Sequence, residues 1–135
     1  ARYIASHGYI VVNVQHAGTD TSLWEGKKGH PWDVIRATHI PRKATLQRLQ
    51  DIPFVIDELT RLQDPLMDMS RLGMCGHSFG AMTTQIMAGQ TRGFGRRQYR
   101  MFEPRFKAGI VYSPVTVFDK KGHGPQDFYG TIETP

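Results

Sequence analysis

Apolar positions in this chain fall into short continuous runs, separated by stretches in which they recur at helical spacing. Tyr9-Ile10-Val11-Val12-Asn13-Val14 is nearly unbroken and rich in β-branched residues, which predicts a strand covered on both faces, as parallel strands are. Leu72, Met74 and Cys75 form a second run that predicts the end of a buried strand. Ala108-Gly109-Ile110-Val111-Tyr112 predicts a third, closed by Ser113-Pro114. Between the first two runs, Ile52, Val55, Ile56, Leu59 and Leu62 make one helical face. Asp51 is placed to cap that helix, Pro53 falls in its first turn, and Asp64-Pro65 ends it. Ala81 to Ala88 predicts a helix stopped at Gly89. Residues 2–7 read as the end of a helix with Gly8 as its C-terminal cap.

The predicted order is helix, strand, excursion, helix, strand, helix, strand. Strands alternating with helices imply an α/β chain with a mainly parallel sheet and crossover helices. The excursion, residues 19–50, is polar and mixed, with short helices expected near 33–39 and 42–50. Its tryptophans, Trp24 and Trp32, suit either a pocket wall or an anchor for the excursion. The tail from Val115 to Pro135 is glycine- and proline-rich and reads as irregular. In parallel sheets ligands sit at the carboxyl ends of the strands, where this reading puts His16, Ser78 and Ser113.

One motif carries chemistry. Gly76-His77-Ser78-Phe79-Gly80 fits Gly-x-Ser-x-Gly and stands between the second strand and the helix after it. A serine at such a turn is held in a strained backbone conformation with its hydroxyl outward. Glycines two residues to either side let the strand and helix backbones pass close together. The helix N-terminus supplies N–H groups and a positive dipole end. A glycine-rich turn with an exposed serine is the plain alternative, and it gives no reason for the glycines to bracket the serine symmetrically.

With these segments the chain resembles the α/β-hydrolase superfamily, in its dienelactone-hydrolase-like and platelet-activating-factor-acetylhydrolase-like branch. The resemblance rests on Ile4 to Val12, Asp51 to Leu59, Met74 to Ala81 and Phe106 to Pro114, and leaves out the excursion and the basic loop after Gly89. It implies a serine hydrolase that cleaves carboxylic esters of a small-molecule or lipid substrate. Ser78 would be the nucleophile and the Phe79 N–H an oxyanion donor. It also implies that residues 1–135 are the central part of such a domain, with the elbow at 76–80, N- and C-terminal parts missing, and the fragment alone inactive. The family order is Ser, then acid, then His. Ser113 occupies a place where the acetylhydrolase branch can carry the acid and cannot serve as a carboxylate. The triad acid and histidine are therefore expected beyond residue 135. Asp119 and His123 follow Ser78 in the right order but lie four residues apart in the tail, whereas the family puts them on separate loops. The alternative is a hydrolase-like fold without a working triad, acting in binding or as a scaffold.

Composition changes the picture little. The chain has 135 residues and a net charge of +5. Arg92, Arg96, Arg97, Arg100, Arg105 and Lys107 crowd one stretch, with Phe94, Tyr99 and Phe102 interleaved. A solvated loop and a polyanion-binding strip both fit. No nucleic-acid motif accompanies the stretch, so no nucleic-acid partner is expected. Cys75 is the single cysteine and is expected as a small buried residue. His77 is expected as a pocket or packing residue, and His16 as a hydrogen-bonded structural one. No His or carboxylate spacing suits a metal, no cofactor is called for, and no apolar run is long enough to span a membrane.

Overall fold

The computed structural model describes residues 1–93, 98–114 and 126–135. They form two compact units, Ala1–Met67 and Asp68–Pro135. Secondary structure is mixed: helices with one two-stranded parallel sheet.

The first unit is built around a long helix. α1 (Arg2–Ala5) is a single turn, and Gly8 follows its cap Ser6 by two residues at φ +85, a conformation that suits glycine. The run 9–14 forms no strand, contrary to the sequence reading. A strand exists only where a neighbour takes its N–H and C=O groups, and no ladder partner adjoins this run among the described residues. Tyr9, Ile10 and Val12 stand exposed.

α2 (Pro31–Ala37) lies where the first short helix was expected, with proline in its first turn and the His30 side chain accepting from the Trp32 N–H. The second expected helix is no separate element. It runs on through the helix at 51–62 as one 21-residue α3 (Arg42–Leu62). Asp51 is therefore interior and caps nothing, and Pro53 sits mid-helix with no N–H to give to the carbonyl four residues back. The buried stripe of α3 is Leu49, Ile52 and Ile56, while Leu62 is exposed. Gln63 closes the helix in the left-handed region at φ 49, just before Asp64-Pro65.

The second unit is a strand–helix–strand arrangement. β1 (Leu72–His77) and β2 (Phe106–Tyr112) run parallel, with Cys75 beside Ile110, Gly76 beside Val111 and His77 beside Tyr112. α4 (Phe79–Met87) covers one face of this pair and is buried from Ala81 onward. Its two threonines carry polar atoms into that interior without loss. Thr83 Oγ1 donates to the Phe79 carbonyl and Thr84 Oγ1 to the Gly80 carbonyl, each at 3.0 Å. Gly109 lies under α4, where an added β-carbon would stand 3.4 Å from Thr84 Cγ2.

The helix stops as its sequence predicts, with Gly89 at φ +111. The tail is less irregular than expected: α5 (Gln126–Tyr129) brings Phe128 to near-complete burial. The Glu133 N–H then donates to the Ala88 carbonyl at 2.9 Å, and the Gly109 N–H to the Pro135 carbonyl at 2.7 Å.

Candidate functional site

β1 ends at His77 and α4 begins at Phe79, so a single residue, Ser78, makes the turn. It does so at φ 53, ψ −110, outside the regions that side-chain-bearing residues normally occupy. Such a conformation costs about 1–3 kcal/mol and survives only where the surroundings over-determine it. Here two constraints do so. The Ser78 N–H donates to the Tyr112 carbonyl at 3.0 Å, which ties the turn to β2, and the Met82 N–H donates back to the Ser78 carbonyl at 3.1 Å as the first bond of α4. The chain must therefore leave a strand and enter a helix within one residue.

The glycines make this possible. A β-carbon on Gly76 would meet the Gly80 carbonyl carbon and oxygen at 2.2 Å and the Ala81 nitrogen at 2.8 Å. All three are backbone atoms, so no side-chain rotation relieves the clash.

Ser78 is half-buried, and its hydroxyl makes no capping hydrogen bond to α4. Phe79, the expected oxyanion donor, is the first residue of α4, at the positive end of the helix dipole. Ser113 follows β2 as Ser78 follows β1, so the sheet brings these two expected site positions side by side. Asp119 and His123 lie outside the described residues.

His77 and Cys75 depart from their expected places. Side chains alternate along a strand, and Gly76 faces α4, so its neighbours point to the opposite face. That face carries Cys75, His77, Ile110 and Tyr112, all exposed. Cys75 is thus not buried and His77 packs against nothing on α4.

His16 belongs to the first unit. It is only 5% exposed, and its Nδ1 lies 2.8 Å from Asp51 Oδ2 on α3. Burial lowers its pKa from the ordinary value; the Asp51 hydrogen bond opposes that, and the Arg48 charge adds to it. Arg48 in turn donates to Thr19 Oγ1 at 3.0 Å, and Thr19 Oγ1 to the His16 carbonyl at 3.3 Å. The arrangement pins the loop after residue 15 onto α3. A shallow groove of about 330 Å³ lies beside it, lined by Ala17, Gln47, Gln50, Asp51 and Phe54. Neither Trp24 nor Trp32 lines that groove.

The basic stretch is partly occupied by its own chain. Arg105 makes a two-pronged ion pair with Glu103, at 2.7 Å from Nε and 2.6 Å from Nη2. Arg105 holds the Glu103 carboxyl below its ordinary range. Arg100 pairs with Glu133, donates to the Gly89 and Thr131 carbonyls, and lies over the Phe102 ring. Phe94, Arg96 and Arg97 lie outside the described residues.

Among the described residues no cluster of three or more His, Cys, Asp or Glu could hold a metal ion, and no helix is long and apolar enough to cross a membrane. No protein-family model, curated protein or solved structure matches the chain.

Sequence reasoning missed two features of these sites. Nothing in the sequence links His16 to Asp51, 35 positions apart. The left-handed backbone at Ser113 carries no signal either, since neither glycine nor asparagine marks it.

Proposed function

We propose that this chain carries the nucleophile of a serine hydrolase with an α/β-hydrolase fold, cleaving carboxylic esters through an acyl-enzyme on Ser78. One observation carries the reading. Ser78 is held at φ 53, ψ −110 between a parallel strand and a helix whose backbones meet at Gly76 and Gly80. A fold has no structural need to put a strained serine there, and strain of this kind collects at functional positions.

In the chemistry this reading implies, a histidine base takes the Ser78 hydroxyl proton as Oγ attacks the ester carbonyl. The carbonyl oxygen becomes an oxyanion at the N-terminus of α4, where the Phe79 N–H is the assigned donor. Collapse breaks the bond to the alkoxide, which leaves with the proton from the base. Water then clears the acyl group by the same steps. An oxyanion donor is worth about 3–4 kcal/mol of transition-state stabilisation. The substrate class is a small-molecule or lipid ester, with no cofactor in the reaction.

The second reading is a hydrolase-like protein that binds rather than cleaves. A fluorophosphonate applied to the natural protein separates the two. The hydrolase reading expects a covalent adduct on the peptide containing Ser78, absent from Ser78→Ala. A folded protein that takes up no label at Ser78 sinks that reading in favour of the binding one.

A further inference from the structure

Two serines stand at neighbouring strand ends with left-handed backbones, and only one of them is the nucleophile. Ser78 has φ 53 and Ser113 has φ 52. They are next to each other. His77 and Tyr112 are ladder partners, and the Ser78 N–H is bonded to the Tyr112 carbonyl, the peptide group that leads into Ser113. Adjacent strands lie about 4.8 Å apart, so whatever stands at Ser113 is within one small chemical group of the carbonyl that Ser78 would attack.

A left-handed turn out of a strand is usually made by glycine, asparagine or aspartate. Serine is a poor choice unless its hydroxyl is used. The residue is exposed, and its hydroxyl bonds to no described residue. The strain at Ser78 is explained by its neighbours and its proposed chemistry. The strain at Ser113 points to a role for its hydroxyl in the space above the two strand ends.

We propose that Ser113 is a specificity-determining residue of the Ser78 site. Its hydroxyl would hydrogen-bond to an oxygen two or three bonds from the scissile carbonyl, so that the site prefers esters of oxygen-bearing acyl groups over plain alkyl ones. This rests on the ester-hydrolase reading of Ser78. The selectivity is a difference between two substrates, because a polar group that loses its partner is penalised where an alkyl group is not.

The test compares 4-nitrophenyl methoxyacetate with 4-nitrophenyl butyrate, which differ by one ether oxygen in place of a methylene. The readout is the ratio of their kcat/KM values in the natural protein, in Ser113→Ala and in Ser113→Gly. Intrinsic reactivity cancels when ratios are compared between variants. The expected result is a roughly three- to tenfold fall in the ratio in both variants, the factor one neutral hydrogen bond carries. Ser113→Gly also accepts φ 52 without strain, so it is expected to melt at a higher temperature while losing the preference. If Ser113 merely closes the strand, the ratio stays unchanged in both, and the proposal is overturned. Should Ser113→Ala fail to fold, the glycine variant decides alone. Fluorophosphonate labelling of Ser78 with an unchanged ratio removes this proposal and leaves the hydrolase reading standing. Absence of labelling in folded protein removes both.

Discussion

Gly76 and Gly80 meet backbone to backbone: a β-carbon on Gly76 would stand 2.2 Å from the carbonyl carbon and oxygen of Gly80. Real β-carbons do not approach that closely, so Gly76→Ala must push α4 off β1. We expect a loss of more than about 3 kcal/mol, at or above the upper end of the range for overpacking, because only backbone can yield. Denaturant midpoints measure it. The contrast is Gly73→Ala, where the nearest atom is the Ala108 carbonyl oxygen at 3.7 Å and the change is expected to be small. Similar losses at both positions would mean that the close approach at Gly76 is not what the glycine serves.

At Ser78 stability and chemistry pull apart. Ser78→Ala keeps a β-carbon at φ 53, whereas Ser78→Gly does not. We expect the glycine variant to be more stable than the alanine variant by about 1 kcal/mol, the lower end of the strain scale. Both are expected to lose fluorophosphonate labelling completely. Equal stability of the two would show that the turn is not strained in solution.

The His16–Asp51 pair predicts a pH dependence in the first unit. The folded pKa of His16 lies below its ordinary value of 6.5, chiefly through burial, so the folded protein favours the neutral ring. The unfolded chain takes up the proton first as pH falls. Stability is therefore fully present above pH 6.5 and declines as pH drops from there towards the folded pKa. The groups facing the ring are Asp51, which opposes this shift, and Arg48, which reinforces it. Urea midpoints between about pH 8 and 5 are expected to fall, and to fall less in His16→Gln. An equal slope in the variant would assign the titration to another group.

Glu103 ties the segment before β2 to the end of α4. Its backbone N–H donates to the Met87 carbonyl at 2.9 Å, and its carboxylate grips Arg105 with both oxygens while only 7% of the residue is exposed. Glu103→Gln keeps the shape and removes the charge. A cost of about 1–3 kcal/mol is expected, the range for a charge-assisted bond whose partner loses its match. Because the folded pKa lies below 4.5, this contribution is present above pH 4.5 and is lost as pH falls through the folded value. The variant's deficit should shrink in acid. A deficit independent of pH would point to packing instead.

Much of the second unit was legible. Leu72 to Cys75 and Ala108 to Tyr112 announce strands by short apolar runs, and Gly89 announces the end of α4. The Gly-x-Ser-x-Gly spacing works because its residues are adjacent and their constraint is local: one turn, two backbones, no room for a β-carbon. The first unit was less legible for a definite reason. An apolar β-branched run such as 9–14 states a preference, but becoming a strand requires a partner that the run itself cannot specify. Asp51 next to Ile52 and Pro53 looks like a helix start, yet α3 had already begun at Arg42.

The sequence by itself determined the local devices of this protein: the serine turn, the helix stops, the strand–helix–strand order of the second unit, and the excess of basic charge. These follow from backbone sterics and from periodicities that act over a few residues. Only the tertiary structure decided which distant groups meet. It paired His16 with Asp51, put Cys75 and His77 on the sheet face away from α4, gave Glu103 to Arg105, and set Ser113 beside Ser78. Those outcomes depend on strand register and on how the chain returns through space, and residue spacing along the sequence does not encode either.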